Sequence, residues 1–272
     1  MIKCPMIKRL WRDMSRDEIA ALSVRDPIAV LPIAAIEQHG PHLPTGTDAL
    51  LAEGYVERCI ERMDEGLPLV FLPVQQVGWS EEHLDAVGTV TSSWKTLLPL
   101  WTDIALSVKR AGIHRLLVIN SHGGNVPLMD ILIQDLRVHH GMQASATNWL
   151  RFGYPDGMFT ADEIAYGIHG GEVETALMLA MRPDLVQMDK AAMFSSAQQA
   201  RAEQNDHARF YGRKQTGWLA SDLNPRGVVG NAALAAPEVG QQLLDHLVDG
   251  FLAYATELQR LPLPSPLSNP VR

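Results

Sequence analysis

Glu37, His39 and Asp48 are the residues whose types and spacing point most directly to chemistry. They belong to Glu37-Gln38-His39-Gly40-Pro41-His42-Leu43-Pro44-Thr45-Gly46-Thr47-Asp48, which follows an apolar run from Ile28 to Ile36 that reads as a buried β-strand. Residues two apart in an extended backbone project to one face, so Glu37 and His39 point the same way at the strand's end. Asp48 comes where Thr47-Asp48 opens a helical run, Ala49 to Met63. A carboxylate, an imidazole and a second carboxylate can therefore meet above one strand–loop–helix junction. Oxygen and nitrogen ligands without a thiolate suit Zn²⁺, Mn²⁺ or Fe²⁺. A plainer assignment stays open: Asp48 as a helix N-cap, and His39 as a loop histidine bonded to backbone.

Two more loops carry the same residue types. Arg115-Leu116-Leu117-Val118-Ile119 reads as a buried strand, followed by Asn120-Ser121-His122-Gly123-Gly124-Asn125 and a helical pattern from Val126 to Val138. Neither a P-loop Lys-Ser/Thr nor a GxGxxG fingerprint is present, so the loop does not read as a phosphate cradle, and His122 is its chemical point. In Ile168-His169-Gly170-Gly171-Glu172-Val173-Glu174-Thr175, apolar Val173, Leu177 and Ala180 recur at helical spacing. Glu174 then falls in the first turn of a helix, where the dipole favours a carboxylate. Glu172 is expected to be only a helix-end charge on a solvated face, and Glu174 a functional group.

The other reactive side chains read more plainly. Ser80 and Ser121 lack the GxSxG elbow of a serine nucleophile. Cys59 sits in an apolar helical pattern and is expected in the core. His42 is expected to brace the first loop, and His139-His140 to offset the dipole at a helix end. His114 and His246 have no acidic or histidine partner at useful spacing.

The elements that must position these loops alternate along the chain. Candidate strands are Ile28–Ile33, Leu69–Val74, Leu116–Ile119 and Gln143–Thr147, with helical stretches between them, including Trp94 to Lys109 and a last helix from Pro237 to Leu261. Alternation of this kind predicts an α/β fold, one domain over residues 1–272 with a mostly parallel central sheet flanked by helices. A short N-terminal lead and a proline-rich C-terminal tail frame it. The polar segment from Gln198 to Leu223 is expected to be a helix followed by a long loop. A net charge of −8 argues against a nucleic-acid surface. No apolar run is long enough to span a membrane. Two cysteines, Cys4 and Cys59, and no apolar signal region point to a reduced cytoplasm.

EQHGPHLPTGTD (37–48), NSHGGN (120–125) and HGGEVETALML (169–179) together resemble the creatininase (creatinine amidohydrolase) family. The resemblance runs from about Leu31 through Gly227-Val228-Val229-Gly230, with weaker echoes in Gly78-Trp79-Ser80-Glu81-Glu82-His83 and Gly88-Thr89. It implies a three-layer fold, a homo-oligomer that is commonly a hexamer, and two divalent metal ions per chain, zinc or else manganese or iron. It further implies that Glu37 and His122 bind one ion, His39 the other, that Asp48 bridges them, and that His169 is catalytic. His169 as a support for a metal-bound carboxylate is the alternative. By the same resemblance Ser80 and His83 are candidate substrate contacts, and Trp149, just past a strand, a candidate pocket wall, with a solvated loop and core packing as the respective alternatives.

One departure separates the chain from true creatininases, whose third-motif histidine is followed by a tyrosine and a metal-binding glutamate. Here those positions are Gly123 and Gly124. The Gly-Gly form resembles formamide deformylases and peptide-processing members, and implies that Glu174 supplies the missing carboxylate. The function expected is hydrolysis of a non-peptide or cyclic amide C–N bond, with two ions holding a bridging hydroxide. Formamide deformylation or peptide processing is the alternative within the family. A non-enzymatic binder of metal or a small ligand is the alternative outside it.

Overall fold

The computed structural model describes residues 8–265, so Cys4 and the tail beyond 265 lie outside the described residues. Along the chain come α1 (Arg16–Ser23), β1 (Ile28–Ile33), α2 (Thr47–Arg62), β2 (Leu69–Phe71), α3 (Trp94–Arg110), β3 (Arg115–Asn120), α4 (Val126–His140), β4 (Gln143–Asn148), α5 (Ala161–Tyr166), α6 (Glu172–Met181), β5 (Met193–Phe194), α7 (Ala197–Gln204), α8 (Ala220–Leu223), β6 (Gly230–Asn231) and α9 (Pro237–Arg260). Strands β1 to β4 form one parallel sheet in the order β2-β1-β3-β4. β5 and β6 make a separate two-residue antiparallel pair. None of the described helices is long and apolar enough to cross a membrane.

Strand periodicity sorts the core into two layers. Ile28, Val30, Phe71, Leu117 and Ile119 face α2, α6 and α9, packing with Tyr55, Leu177, Leu247 and Phe251. Their neighbours Ala29, Leu31, Ile33, Leu116 and Val118 face the other way, onto Leu97, Trp101 and Ala105 of α3 and Leu128 and Leu132 of α4. A period of two thus covers both faces with helices, as a parallel sheet requires. Cys59 is fully buried in the first of these layers.

Prolines lie where the sheet stops. β2 was expected to reach Val74 but ends at Phe71: Leu72 still donates to Val30 O, but Gln75 and not Val74 donates to Pro32 O, so the pairing slips by one residue past Pro73. β1 is a central strand that nonetheless contains Pro32. The Ile28 N–H points toward β2, donating to Pro68 O at 2.9 Å, so by alternation the missing N–H of Pro32 also faces that side, beyond the end of β2. Thus β1 ends at Ile33, three residues short of the apolar run, and Ile36 makes only an isolated bridge to Val90. The chain is thereby freed to turn, and Glu37 to His39 emerge over the carboxyl end of the sheet.

The helix that carries Glu174 is held by contact too close for a side chain. A Cβ added at Gly240 of α9 would run into the main-chain carbonyl of Ala176 in α6. Gly240→Ala would gain about 1 kcal/mol of helix propensity. Backbone cannot rotate away as a side chain can, so overpacking at the upper end of the usual range, about 3 kcal/mol, outweighs that gain. A net loss of about 2 kcal/mol in urea unfolding is expected; an unchanged or raised midpoint would contradict this packing.

Candidate metal centre

The three loops converge at the carboxyl ends of β1 and β3, where sites form in parallel sheets. Glu37, His39, Asp48 and His122 are all buried there. Asp48 is the second residue of α2, and the N-cap position is Gly46 without a side-chain cap bond, so Asp48 is not a cap. Its two oxygens face different histidines: Oδ1 lies 3.7 Å from His39 Nε2, and Oδ2 lies 3.5 Å from His122 Nδ1. Glu37 Oε2 is 3.1 Å from His122 Nδ1. Glu174 turns inward from the first turn of α6, with Oε2 3.7 Å from His39 Nε2 and accepting from the Gly170 N–H at 2.6 Å. Glu172 contributes no atom to the candidate metal-ligand groups among the described residues.

Backbone carbonyls fix which nitrogen each histidine offers. His39 Nδ1 donates to Glu37 O at 3.1 Å, which leaves the Nε2 lone pair for the site. His122 Nε2 donates to Trp79 O at 3.0 Å, which leaves Nδ1. His169 Nε2 donates to Gln38 O at 2.8 Å, which leaves Nδ1, 3.5 Å from Glu37 Oε1. Metal-bound histidines are oriented in this way, by an outer partner on the second ring nitrogen.

The asparagines of NSHGGN, to which the sequence reading gave no role, staple this arrangement. Asn120 Oδ1 accepts from the His122 N–H, and its amide donates to Asn148 Oδ1 at 2.9 Å. Asn125 accepts from the Trp79 N–H and donates to Ala34 O, tying the loop to the end of β1. α6 is anchored by a residue the sequence reading also passed over. Glu163 accepts from the Glu172 N–H at 2.6 Å and the Asn231 N–H at 2.8 Å, doing for the helix start what Gly171 cannot.

Electrostatics show what the cluster lacks. Burial would depress His39, but the carboxylates of Asp48, Glu174 and Glu37 outweigh it and lift the imidazole to about 9. His122 likewise rises well above the usual value, burial being overcome by Glu37, Glu82 and Asp48. Burial, with Asp48 and Glu37 adding to it, pushes Glu174 up to about 7. His169 goes the opposite way, lowered by burial and by the neighbouring His39 and His83 rings. Crowded buried carboxylates of this kind call for positive charge. Glu37 Oε1, His39 Nε2 and Asp48 Oδ2 are buried with no hydrogen-bond partner among the described residues, at a cost of about 1–3 kcal/mol each. All three are ligand-type atoms, and each belongs to a residue of a candidate metal-ligand group. The residues fit divalent ions.

Glu82 was missed by the sequence reading, and the geometry gives it a place. Its Oε1 lies 3.4 Å from His122 Nε2. Glu37, Glu82 and His122 offer ligand atoms within 4.8 Å of one another, as do His39, Asp48 and Glu174. A Cβ at Gly124 would collide with Glu82 Oε1 and His122 Nε2 and come within 2.6 Å of Trp79 O. The glycine therefore makes room for a carboxylate from another loop. The only signal in the sequence was the Gly78–His83 echo. Gly124→Ala is expected to displace His122 and lower the affinity for the ion it serves by about 10–100-fold, the usual cost of disturbing a ligand's support. Titration calorimetry measures this, and an unchanged affinity would contradict it.

The expected substrate contacts part ways. His83 lines a cavity of about 780 Å³ together with Trp79, Glu82, His169, Tyr211 and Trp218. Ser80 is fully buried and donates to Glu37 Oε2 at 2.5 Å, so it supports that carboxylate and does not line the large cavity. Trp149 is also buried, stacked on Tyr55 at 4.3 Å, and borders only a small side cavity of about 130 Å³. His42 braces its loop against α6 through Thr175 Oγ1 at 2.9 Å. His139 and His140 end α4, as expected of dipole-facing histidines.

The sequence model of the creatinine amidohydrolase family matches residues 12–255. A mycofactocin precursor peptide peptidase of Mycolicibacterium smegmatis is 28% identical over 228 residues, 82% of each chain. A creatinine amidohydrolase of Pseudomonas putida is 30% identical over 192 residues, covering 63% of this chain and 70% of the relative. A solved manganese creatininase superposes with a TM-score of 0.71 at 26% identity, covering 92% of this chain and 98% of the other. Matched over most of its length and sharing the fold, the chain belongs to the creatininase family of metal-dependent amidohydrolases.

Proposed function

We propose that this chain hydrolyses an amide C–N bond of a small non-peptide or cyclic amide, using two divalent ions shared by Asp48. The observation that carries the reading is Asp48 itself, with its two oxygens turned to different histidines. Glu37 and His122 would hold one ion, His39 and Glu174 the other, with zinc or manganese the metals that suit these ligands. When bound, such a pair supplies a water activated at neutral pH and polarises the scissile carbonyl. His169 Nδ1 takes the proton that the attacking water loses and gives it to the leaving nitrogen, while Nε2–H stays on Gln38 O. Ser80 keeps Glu37 in place. Trp79, Tyr211 and Trp218 wall the cavity against bulk water, and no Lys or Arg lines it among the described residues.

A second substrate reading, a linear peptide-like amide, is favoured by the cavity. About 780 Å³ is far more than a single small heterocycle fills, and the mycobacterial relative is named a peptide peptidase. Metal-loaded protein should be assayed against creatinine, N-formyl amides and short peptides, with amine and acid products quantified by mass spectrometry. Stoichiometric formation of acid and amine from a linear amide, or of the single ring-opened product from a cyclic one, abolished by a chelator, is the expected result. Metal-replete protein that cleaves none of the three classes would refute the proposal.

A further inference from the structure

His83 and His169 stand side by side, with ring centroids 4.4 Å apart, and both address the same atom. His83 Nε2 lies 3.4 Å and His169 Nδ1 3.5 Å from Glu37 Oε1. Two histidines on one carboxylate oxygen could share one task or divide two. Gln38, the residue between the expected ligands Glu37 and His39, touches both rings from behind.

The orientation of the Gln38 amide is fixed by backbone, so the usual oxygen–nitrogen ambiguity does not arise. Its Oε1 accepts from the Gly40 N–H at 2.9 Å, and its Nε2 donates to Gly227 O at 2.6 Å. The second hydrogen on Nε2 points to His83 Nδ1 at 2.9 Å. His83 Nδ1 must then accept, which puts the ring proton of a neutral His83 on Nε2, facing the site. The main chain of Gln38 does the reverse for His169. A carbonyl can only accept, so His169 carries its proton on Nε2 and turns the Nδ1 lone pair inward. The 3.4 Å approach of Gln38 Nε2 to His169 Nε2 brings two donors together and is no hydrogen bond.

We infer that Gln38 is a positioning residue that gives the two histidines different roles, holding His83 as a fixed N–H donor and His169 as the proton acceptor. Both rings are the same tautomer, but they present opposite ends. His83 cannot carry a proton between water and amine, because Nε2 is already protonated and Nδ1 is engaged by Gln38. Its N–H instead steadies Glu37 or a substrate oxygen. His169 Nδ1 is free to gain a proton as the water oxygen bonds to the carbonyl carbon. It then passes that proton to nitrogen as the C–N bond breaks, leaving acid and amine. The catalytic part rests on the hydrolase reading, and the tautomers do not.

The test is long-range ¹H–¹⁵N NMR of zinc-loaded protein labelled at histidine, with the two rings assigned through His83→Gln and His169→Gln. Both rings are expected neutral with Nε2 protonated. In Gln38→Glu, His83 should gain a proton on Nδ1 while His169 is unchanged. A wild-type His83 or His169 protonated on Nδ1 overturns the inference, and this holds whether or not the Gln38 variant folds. In turnover, His83→Gln, which keeps an N–H, should exceed His83→Leu at least tenfold, while His169→Gln falls about 10²–10⁴-fold. Equal turnover of the two His83 variants would overturn the donor role. The spectrum is read without substrate, so the expected tautomers in a protein with no hydrolytic activity would overturn the hydrolase reading instead.

Discussion

Asp48→Ala protein will come off a metal-free column and fail to reload either ion to the level of wild type. Each other candidate ligand serves one ion, whereas the Asp48 oxygens face both His39 and His122. Elemental analysis after dialysis against Zn²⁺ or Mn²⁺ should find wild type near two ions per chain, Asp48→Ala near none, and Glu37→Ala or His39→Ala in between. Hydrolysis should disappear with the ions. If Asp48→Ala keeps as much metal as the His39 variant, Asp48 is not shared.

His169→Ala should do the opposite, keeping both ions while turnover falls about 10²–10⁴-fold, the usual contribution of a general acid–base group. Like His39 and His122, this residue has one ring nitrogen on a backbone carbonyl. Its Nε2 is committed to Gln38 O, and its ring is packed against His39 at 4.2 Å between centroids. Its Nδ1 does lie near Glu37 and His39 ligand atoms, so the variant is a real test. Loss of metal in step with activity would make His169 a ligand, and the proton path would have to be found elsewhere.

Much of this site could be read from local spacing. Glu37 and His39 lie two apart, Asp48 opens a helix, and Glu174 falls in a first turn, so each side chain's direction followed from one element's period. The four sheet strands were likewise legible, because apolar β-branched runs have few other uses. Their ends were less so, since β2 stops at Phe71 where its pairing with β1 slips by one residue, which hydrophobicity does not reveal. Long-range partners were the real gap. Glu82 meets His122 and Gln38 meets Gly227 across tens of residues, and Glu163 meets the start of α6 nine residues on, none of them with a periodic signal. Gly124 was legible as a missing ligand but not as the space that Glu82 enters. Ser80 was placed near substrate because its loop resembled a pocket loop, and only the fold shows its hydroxyl turned to Glu37.

The central claim is that Asp48 lies between two ions, with Glu174 on the one that His39 serves. Crystals grown with Mn²⁺ and measured at a wavelength where manganese scatters anomalously test it most directly. Two peaks are predicted, one beside Glu37 and His122 and one beside His39, with Asp48 touching both and a Glu174 oxygen roughly 2.0–2.2 Å from the second. A single peak, no peak, or Glu174 turned away to solvent while another group completes the site would contradict the account.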